Sequence, residues 1–136
     1  MRYLLDTNIV SEPLRPQPDA EVLRRLGEHD REIAIPALVW HEMRFGCCRL
    51  PQSRRRETIE RYIDEVVLER FEVVDYDRRA ADWHARERAR LTAAGTTPPF
   101  VDGQIAAIAA VNGLILVTAN TSDFAAFEDL DVERWG

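Results

Sequence analysis

Four acidic residues of this chain follow or interrupt apolar segments, where a freely solvated carboxylate is not expected. Asp6 ends the short apolar run "YLL", and Asp123 comes five residues after the apolar run "LILVT". Asp102 lies at the start of the apolar segment "VDGQIAAIAAVNG". Glu42 lies at the margin of the apolar face of a predicted helix, where glutamates are rare unless they are paired or bind a cation. Together these positions predict an acidic site.

Gathered carboxylates have a limited chemistry. Two of them about 5 Å apart repel by about 3 kcal/mol at an effective dielectric of about 20. Four must therefore protonate or bind a cation. Oxygen ligands suit hard ions, here Mg²⁺ with Mn²⁺ as its substitute, whereas zinc prefers histidine or cysteine.

The histidines and cysteines do not add ligands to this site. His29, His41 and His84 show no metal-ligand spacing, and we predict that all three lie at the surface. Cys47 and Cys48 are the only cysteines and are adjacent in sequence, so no disulfide framework is expected and both are interpreted as ordinary helix residues.

Each acid also has a purely structural explanation. Asp6 and Asp123 are placed to cap helices, which is worth about 1 kcal/mol. Asp102 would favour the dipole of the helix that it begins by about 0.3–1 kcal/mol. Glu42 would pair with Arg49 or lie at a solvated edge. These explanations account for the acids one at a time, whereas convergence at one site accounts for all four.

The elements that must position the acids alternate between strand and helix. Strands are predicted at 2–5, 32–36, 71–75 and 114–118, with an edge strand at 131–135. Helices are predicted at 37–50, 53–71, 77–93 and 101–113, with shorter ones at 8–16, 18–30 and near 123–127. This order predicts an α/β sandwich with a mainly parallel sheet. Right-handed crossovers bring the carboxyl ends of parallel strands to one edge, so Asp6 and Asp123 should meet there.

Composition narrows the class of protein further. The 136 residues fit one domain, residues 1–136, with 46% hydrophobic and 31% charged content. The N-terminus does not resemble a signal peptide and no apolar run approaches the ~20 residues of a membrane span, so we predict a cytoplasmic protein with no membrane partner. A net charge of -6 argues against a protein that simply coats nucleic acid.

Several segments resemble a known family in the family's order. They are "LLDTNIVSE", "IPALVWHEMRFG", "FVDGQIAAIAAVNGLILVTANTSDF" and "DLDVERW". The chain resembles PIN-domain ribonucleases, specifically the VapC-type toxins of bacterial type II toxin–antitoxin (VapBC) pairs. The resemblance implies a PIN-like α/β/α sandwich with a central, mainly parallel sheet. It also implies that the four acids form the family's acidic quartet, with Thr118, Asn120 and Asn8 as supporting residues.

The resemblance further implies an activity and its partners. The activity is Mg²⁺-dependent hydrolysis of RNA phosphodiester bonds, with Asp6 and Asp123 as direct metal ligands, Asp102 sharing that role, and Glu42 binding through water or positioning the nucleophile. The implied partners are a small antitoxin whose C-terminal segment lies across the active site, and a second copy of the chain. Candidate phosphate contacts, with a solvated helix face as the alternative for each, are Arg44, Arg49, Arg86 and Arg90.

Three other classes of protein share some of these features. Phospho-acceptor domains also place an aspartate after a strand, but they need a lysine, and all 18 basic residues here are arginine. The haloacid-dehalogenase type would also need an aspartate at position 8, which is Asn8. A PIN nuclease of RNA maturation or decay without an antitoxin, and a non-catalytic RNA-binding PIN module, remain as alternatives.

Overall fold

Five short strands, all parallel to their neighbours, make up the central sheet of the computed structural model, which describes residues 1–136. Their order across the sheet is β3-β2-β1-β4-β5. The strands are β1 (Tyr3–Leu5), β2 (Ile33–Pro36), β3 (Glu72–Val74), β4 (Ile115–Val117) and β5 (Val132–Glu133). All five predicted strands are confirmed, including the edge strand β5.

The three inner strands are apolar because both faces of the sheet are covered. Every residue of β1 and β2 is buried. Leu5 of β1 pairs with Val117 of β4. The next residue of each strand, Asp6 and Thr118, therefore emerges side by side at the carboxyl edge of the sheet. This register positions the site described below.

Seven α-helices flank the sheet. They are α1 (Thr7–Val10), α2 (Ala20–Glu28), α3 (Ala37–Cys48), α4 (Arg54–Tyr62), α5 (Leu68–Arg70), α6 (Arg78–Ala93) and α7 (Phe100–Val111). No helix is long and apolar enough to cross a membrane.

Three predicted helices differ in detail from those observed. The helix predicted at 8–16 is divided into α1, which ends at Val10, and a 3-10 turn at Glu12–Leu14. The helix predicted at 53–71 contains a π-helical segment, Ile63–Val67, between α4 and α5. Ile63 and Val67, the first and last residues of this segment, are both completely buried. The helix predicted near 123–127 is a 3-10 turn at Thr121–Phe124, in which the Asp123 amide donates to the Asn120 carbonyl.

The core is formed by the sheet together with buried residues of α1, α2, α3, α6, α7 and the π-helical segment. Helix α7 is buried on nearly all sides, as its composition predicts, with residues 105–109 all inaccessible to solvent or nearly so. Its alanines allow close packing against α6, the helix with which it makes its most extensive contact.

The prediction that all three histidines lie at the surface is wrong for His84. His84 is not a surface residue: it is 4% exposed, and the Tyr76 hydroxyl lies 3.0 Å from its Nδ1. Burial lowers the pKa of His84. His29 is half-buried against the Tyr3 ring, and only His41 is exposed as predicted. The arginines of α6 suggest a solvated helix, but its buried stripe consists of Ala80, His84, Glu87 and Leu91 at helical spacing.

Candidate active site

Asp6 is held from two sides at the carboxyl end of β1. The Thr118 hydroxyl donates to Asp6 Oδ2 at 2.9 Å, and the Thr7 amide donates to Asp6 Oδ1 at 2.8 Å. Thr118 is completely buried, so the hydroxyl that it presents is fixed by the core. Asp6 also caps α1, as the structural explanation predicts. The cap leaves the carboxylate oriented toward the edge of the sheet, so capping and a site role are compatible.

The two asparagines stabilise the backbone around Asp6 instead of contacting its carboxylate. Asn8 Oδ1 accepts the Ala119 amide at 3.1 Å, which joins α1 to the segment after β4. Asn120 contributes through its backbone, whose amide donates to Thr118 Oγ1 at 3.1 Å. These bonds hold Thr118 in the orientation that allows it to donate to Asp6.

Glu42 on α3 is connected to Asp6 through Thr7, a residue that the sequence reasoning did not single out. The Thr7 hydroxyl donates to Glu42 Oε2 at 2.8 Å, while the Thr7 amide binds Asp6. Glu42 is exposed and does not pair with Arg49, so the ion-pair explanation is wrong. The only sequence signal for Thr7 was its position directly after Asp6.

Asp102 and Asp123 approach the same edge without hydrogen-bond partners for their side chains. Asp102 lies in the first turn of α7 and is half-buried. Asp123 lies inside the 3-10 turn and is exposed, and its carboxylate caps nothing, so the capping explanation for Asp123 is wrong.

The charges of the other acids contribute to the raised pKa values of Asp6 and Asp102. Burial raises the pKa of Asp6 above its ordinary value against the effect of its hydrogen bonds, and the charges of Glu42 and Asp123 raise it further. Burial is also the largest cause of the raised pKa of Asp102, followed by the charges of Asp6, Asp123 and Glu42. The structure thus places the four predicted acids near one edge of the sheet, within electrostatic range of Asp6 and Asp102.

The donor set fits a hard divalent cation. None of the four carboxylates forms an ion pair with an arginine or a histidine, so their negative charge is not balanced within the chain. No three acidic, histidine or cysteine side chains are already closed around a common point. The carboxylates repel one another, and a cation with oxygen ligands would relieve that repulsion.

Two of the predicted phosphate-contact arginines are engaged within the protein. Arg44 pairs with Asp64 at 2.6 Å. Arg90 forms a two-bond pair with Glu87 at 2.8 and 2.9 Å and also donates to the Ala126 carbonyl. Arg90 therefore joins α6 to the segment after Asp123. Neither guanidinium keeps its full set of donors for a phosphate.

The other two predicted arginines, Arg49 and Arg86, are exposed and make no ion pair. Arg49 lines a cavity together with Glu42. Sequence reasoning missed Arg134, which follows β5 and donates from Nη1 to the Ala119 carbonyl at 2.8 Å, next to the site. Its position one residue past the edge strand was the available signal.

Comparisons with known proteins agree with this geometry. A family model described as PIN domain matches residues 3–130. Toxin FitB of Neisseria gonorrhoeae is 30% identical over 135 residues, which cover 97% of each chain. The tRNA(fMet)-specific endonuclease VapC of Shigella flexneri is 31% identical over 137 residues, covering 99% of this chain and 98% of the relative. The crystal structure of FitAcB from Neisseria gonorrhoeae matches with a TM-score of 0.87 and 31% identity, covering 96% of this chain and 95% of that chain.

The chain therefore belongs to the PIN domain family. The resemblance to VapC-type toxins is confirmed by these relatives, and the predicted PIN-like fold with a parallel central sheet is confirmed with it. Another solved relative is described as a member of the VapBC family of toxin–antitoxin systems. An antitoxin is thus the class of partner found among the solved structures of this fold.

Proposed function

We propose that this protein is a Mg²⁺-dependent endoribonuclease that acts as the toxin of a toxin–antitoxin pair, with Mn²⁺ able to replace Mg²⁺. The observation that carries this proposal is the convergence of Asp6, Glu42, Asp102 and Asp123 without any balancing cation from the chain. Relatives named as a toxin and as a tRNA-specific endonuclease support the same activity.

Each acid has a distinct role in this proposal. Asp6 and Asp123 would hold the ion directly, Asp102 would share in holding it, and Glu42 would bind it through water or position the attacking water. The bound ion supplies an activated water and neutralises the charge that develops on the leaving oxygen.

The chain's own hydrogen bonds prepare this arrangement. The Thr118 hydroxyl restricts Asp6 to one orientation, and the Thr7 hydroxyl does the same for Glu42. Hydrogen-bonded supporting residues of this kind typically change metal affinity or activity by ~10–100-fold when they are removed. The partly buried position of Asp102 strengthens its interaction with any cation, because less water screens the charge.

The proposed partners follow from the same charge distribution. An acidic site without an internal cation is a suitable target for a guanidinium from an antitoxin, because charge-assisted hydrogen bonds are strong. RNA would approach through the metal and through arginines that keep free donors. Examples are Arg49, which lines a cavity with Glu42, and Arg134, which donates to the Ala119 carbonyl. A homodimer is proposed as the toxin's own assembly.

The test is cleavage of a panel of structured RNAs with EDTA, with Mg²⁺ and with Mn²⁺. We expect EDTA to abolish cleavage and either ion to restore it. Asp6→Asn should reduce the rate at least ~100-fold, since a direct ligand should matter no less than a supporting residue. Asp82→Asn is the matched control, because Asp82 is an exposed aspartate on α6 outside the site. Cleavage that survives EDTA, or full activity of Asp6→Asn, would contradict the proposal.

The toxin role needs a separate measurement. Expression of the intact chain should arrest bacterial growth. We expect a gene for a small antitoxin beside its own, and co-expression of that antitoxin should relieve the arrest. Cleavage without growth arrest would instead favour a nuclease of RNA maturation or decay. RNA binding without any turnover would favour a non-catalytic module.

A further inference from the structure

Two adjoining cavities lead away from the acidic site along α3 and α4. The first has a volume of about 250 Å³ and begins at Thr7 and Glu42. The second, of about 340 Å³, shares Leu14, Arg55 and Ile59 with the first. We call the two together the arginine groove, and its defining residues are Leu14, Arg49, Leu50, Arg54, Arg55 and Ile59.

The rim of the arginine groove carries cations that the protein itself does not use. Arg49, Arg54 and Arg55 are exposed, and none of their guanidinium groups takes part in an ion pair or a hydrogen bond within the chain. Neighbouring arginines behave differently: Arg56 pairs with Glu60 and also donates to the carbonyl of residue 50. Three free positive charges on a chain of net charge -6 indicate an anionic occupant.

The floor of the groove is apolar. Leu14, Leu50 and Ile59 are half-buried and present aliphatic surface between the arginines. An occupant that combines anionic groups with flat apolar faces matches this surface. Single-stranded RNA has that combination, since its phosphates alternate with unstacked bases, whereas a duplex hides the base faces.

The position of the groove connects it to the cleaved bond. Of the four cavities in the molecule, only the first one of the groove is lined by a member of the acidic quartet, Glu42. A phosphodiester held at the quartet must continue into neighbouring nucleotides, and the groove is the open path that starts there.

We propose that the arginine groove binds the single-stranded segment of the RNA substrate next to the cleaved phosphodiester. Arg49, Arg54 and Arg55 contact its phosphates, and the aliphatic floor contacts an unstacked base. This inference rests on the proposed ribonuclease function and adds to it the path of the bound strand and the arginines that contact it.

The test measures RNA binding by full-length protein carrying Asp6→Asn to prevent cleavage. The probe is a fluorescent single-stranded oligoribonucleotide, compared with its duplex, and anisotropy is followed over a range of salt concentrations. The test variant combines Arg49→Gln, Arg54→Gln and Arg55→Gln. The control combines Arg31→Gln, Arg70→Gln and Arg78→Gln. These three arginines lie outside the groove, are exposed and form no ion pair, so the control removes the same amount of charge.

We expect the groove variant to bind the single strand at least ~10-fold more weakly than the control variant. The slope of log K against log salt should become smaller by about 2, because each lost phosphate contact on a single strand contributes ~0.7. With Asp6 restored, the groove substitutions should raise KM and leave kcat nearly unchanged, since phosphate contacts away from the reacting bond act equally on bound substrate and transition state.

Several outcomes would overturn the inference. Equal RNA affinity of the groove and control variants overturns the groove inference only. The proposed function is kept in that case if the unsubstituted protein cleaves RNA. Tighter binding of the duplex than of the single strand overturns the assignment of a single strand. Loss of affinity for the co-expressed antitoxin with RNA affinity kept assigns the groove to a protein partner. Absence of both RNA binding and cleavage by the unsubstituted protein overturns the proposed function as well.

Discussion

A methyl group added at position 103 would collide with the buried ring of His84. Gly103 follows Asp102 in the first turn of α7 and is itself buried. A Cβ built on Gly103 would lie 2.6 Å from His84 Cδ2 and closer still to Nε2. The imidazole thus occupies the space that the missing side chain leaves, and it is one of the contacts between α6 and the start of α7.

The ring of His84 has little freedom to move away. It is 4% exposed, the Tyr76 hydroxyl lies 3.0 Å from its Nδ1, and the Phe100 ring lies 4.8 Å away between centroids. Overpacking of this kind costs about 1–3 kcal/mol. Loss of the Tyr76 hydrogen bond adds about 0.5–1.5 kcal/mol. The better helix propensity of alanine returns about 1 kcal/mol. The net expectation for Gly103→Ala is a loss of about 0.5–3.5 kcal/mol.

Urea unfolding of a double-mutant cycle measures this effect. His84→Ala makes room for the methyl group, so Gly103→Ala should cost at least ~1 kcal/mol less in that background than in the native one. Gly27→Ala in α2 is the matched control: an added Cβ there contacts nothing within 4 Å, and the substitution should stabilise the protein by about 0.5–1 kcal/mol.

Two results would refute this reasoning. One is a Gly103→Ala protein as stable as Gly27→Ala, which would mean that the ring of His84 does not occupy the space beside α7. The other is an additive cycle, which would mean that the cost of the methyl group arises from a different neighbour.

Two further predictions concern the pairing of Glu87 with Arg90 on α6 and the hydrogen bond that Thr118 donates to Asp6. Hydrogen bonds from Arg90, and then from the Glu128 amide, lower the pKa of Glu87 below 4.5, so its carboxylate stabilises the fold above pH 4.5 and loses that effect as the pH falls through the lowered pKa. Glu87→Gln should therefore destabilise the protein at pH 7. It should also make the free energy of unfolding depend less on pH in the acidic range, and an unchanged dependence there would contradict this. Thr118→Val removes the hydroxyl that Asp6 accepts, so Mg²⁺-dependent cleavage should fall ~10–100-fold while circular dichroism stays native, and full activity would contradict the assigned support.

The class of fold and the location of the acids could be predicted from local sequence. The apolar runs Tyr3–Leu5 and Ile115–Val117 lack polar alternation because parallel inner strands are buried on both faces. Each run ends at a polar residue, and because the two strands are parallel those ends lie at one edge of the sheet. That was enough to predict the convergence of Asp6 and Asp123 before any coordinates.

Helix faces were harder to predict, because a side chain's surroundings come from other elements. His84 lies in an arginine-rich helix, yet α7 and Tyr76 enclose it. The π-helical turn at Ile63–Val67 also depends on what the helix packs against. Local periodicity does not distinguish these cases from an ordinary solvated helix.

The sequence by itself determined the strands, the burial of the inner strands on both faces and the acidic residues that follow them, since these depend on short-range hydrophobic patterns. Only the tertiary structure decided which groups meet. The hydroxyl of Thr118 reaches Asp6 across 112 positions of the chain, and that of Thr7 reaches Glu42 across 35. The arginine groove likewise exists only because α4 folds back beside α3. Contacts between distant residues depend on packing geometry, and no local pattern of residues encodes that geometry.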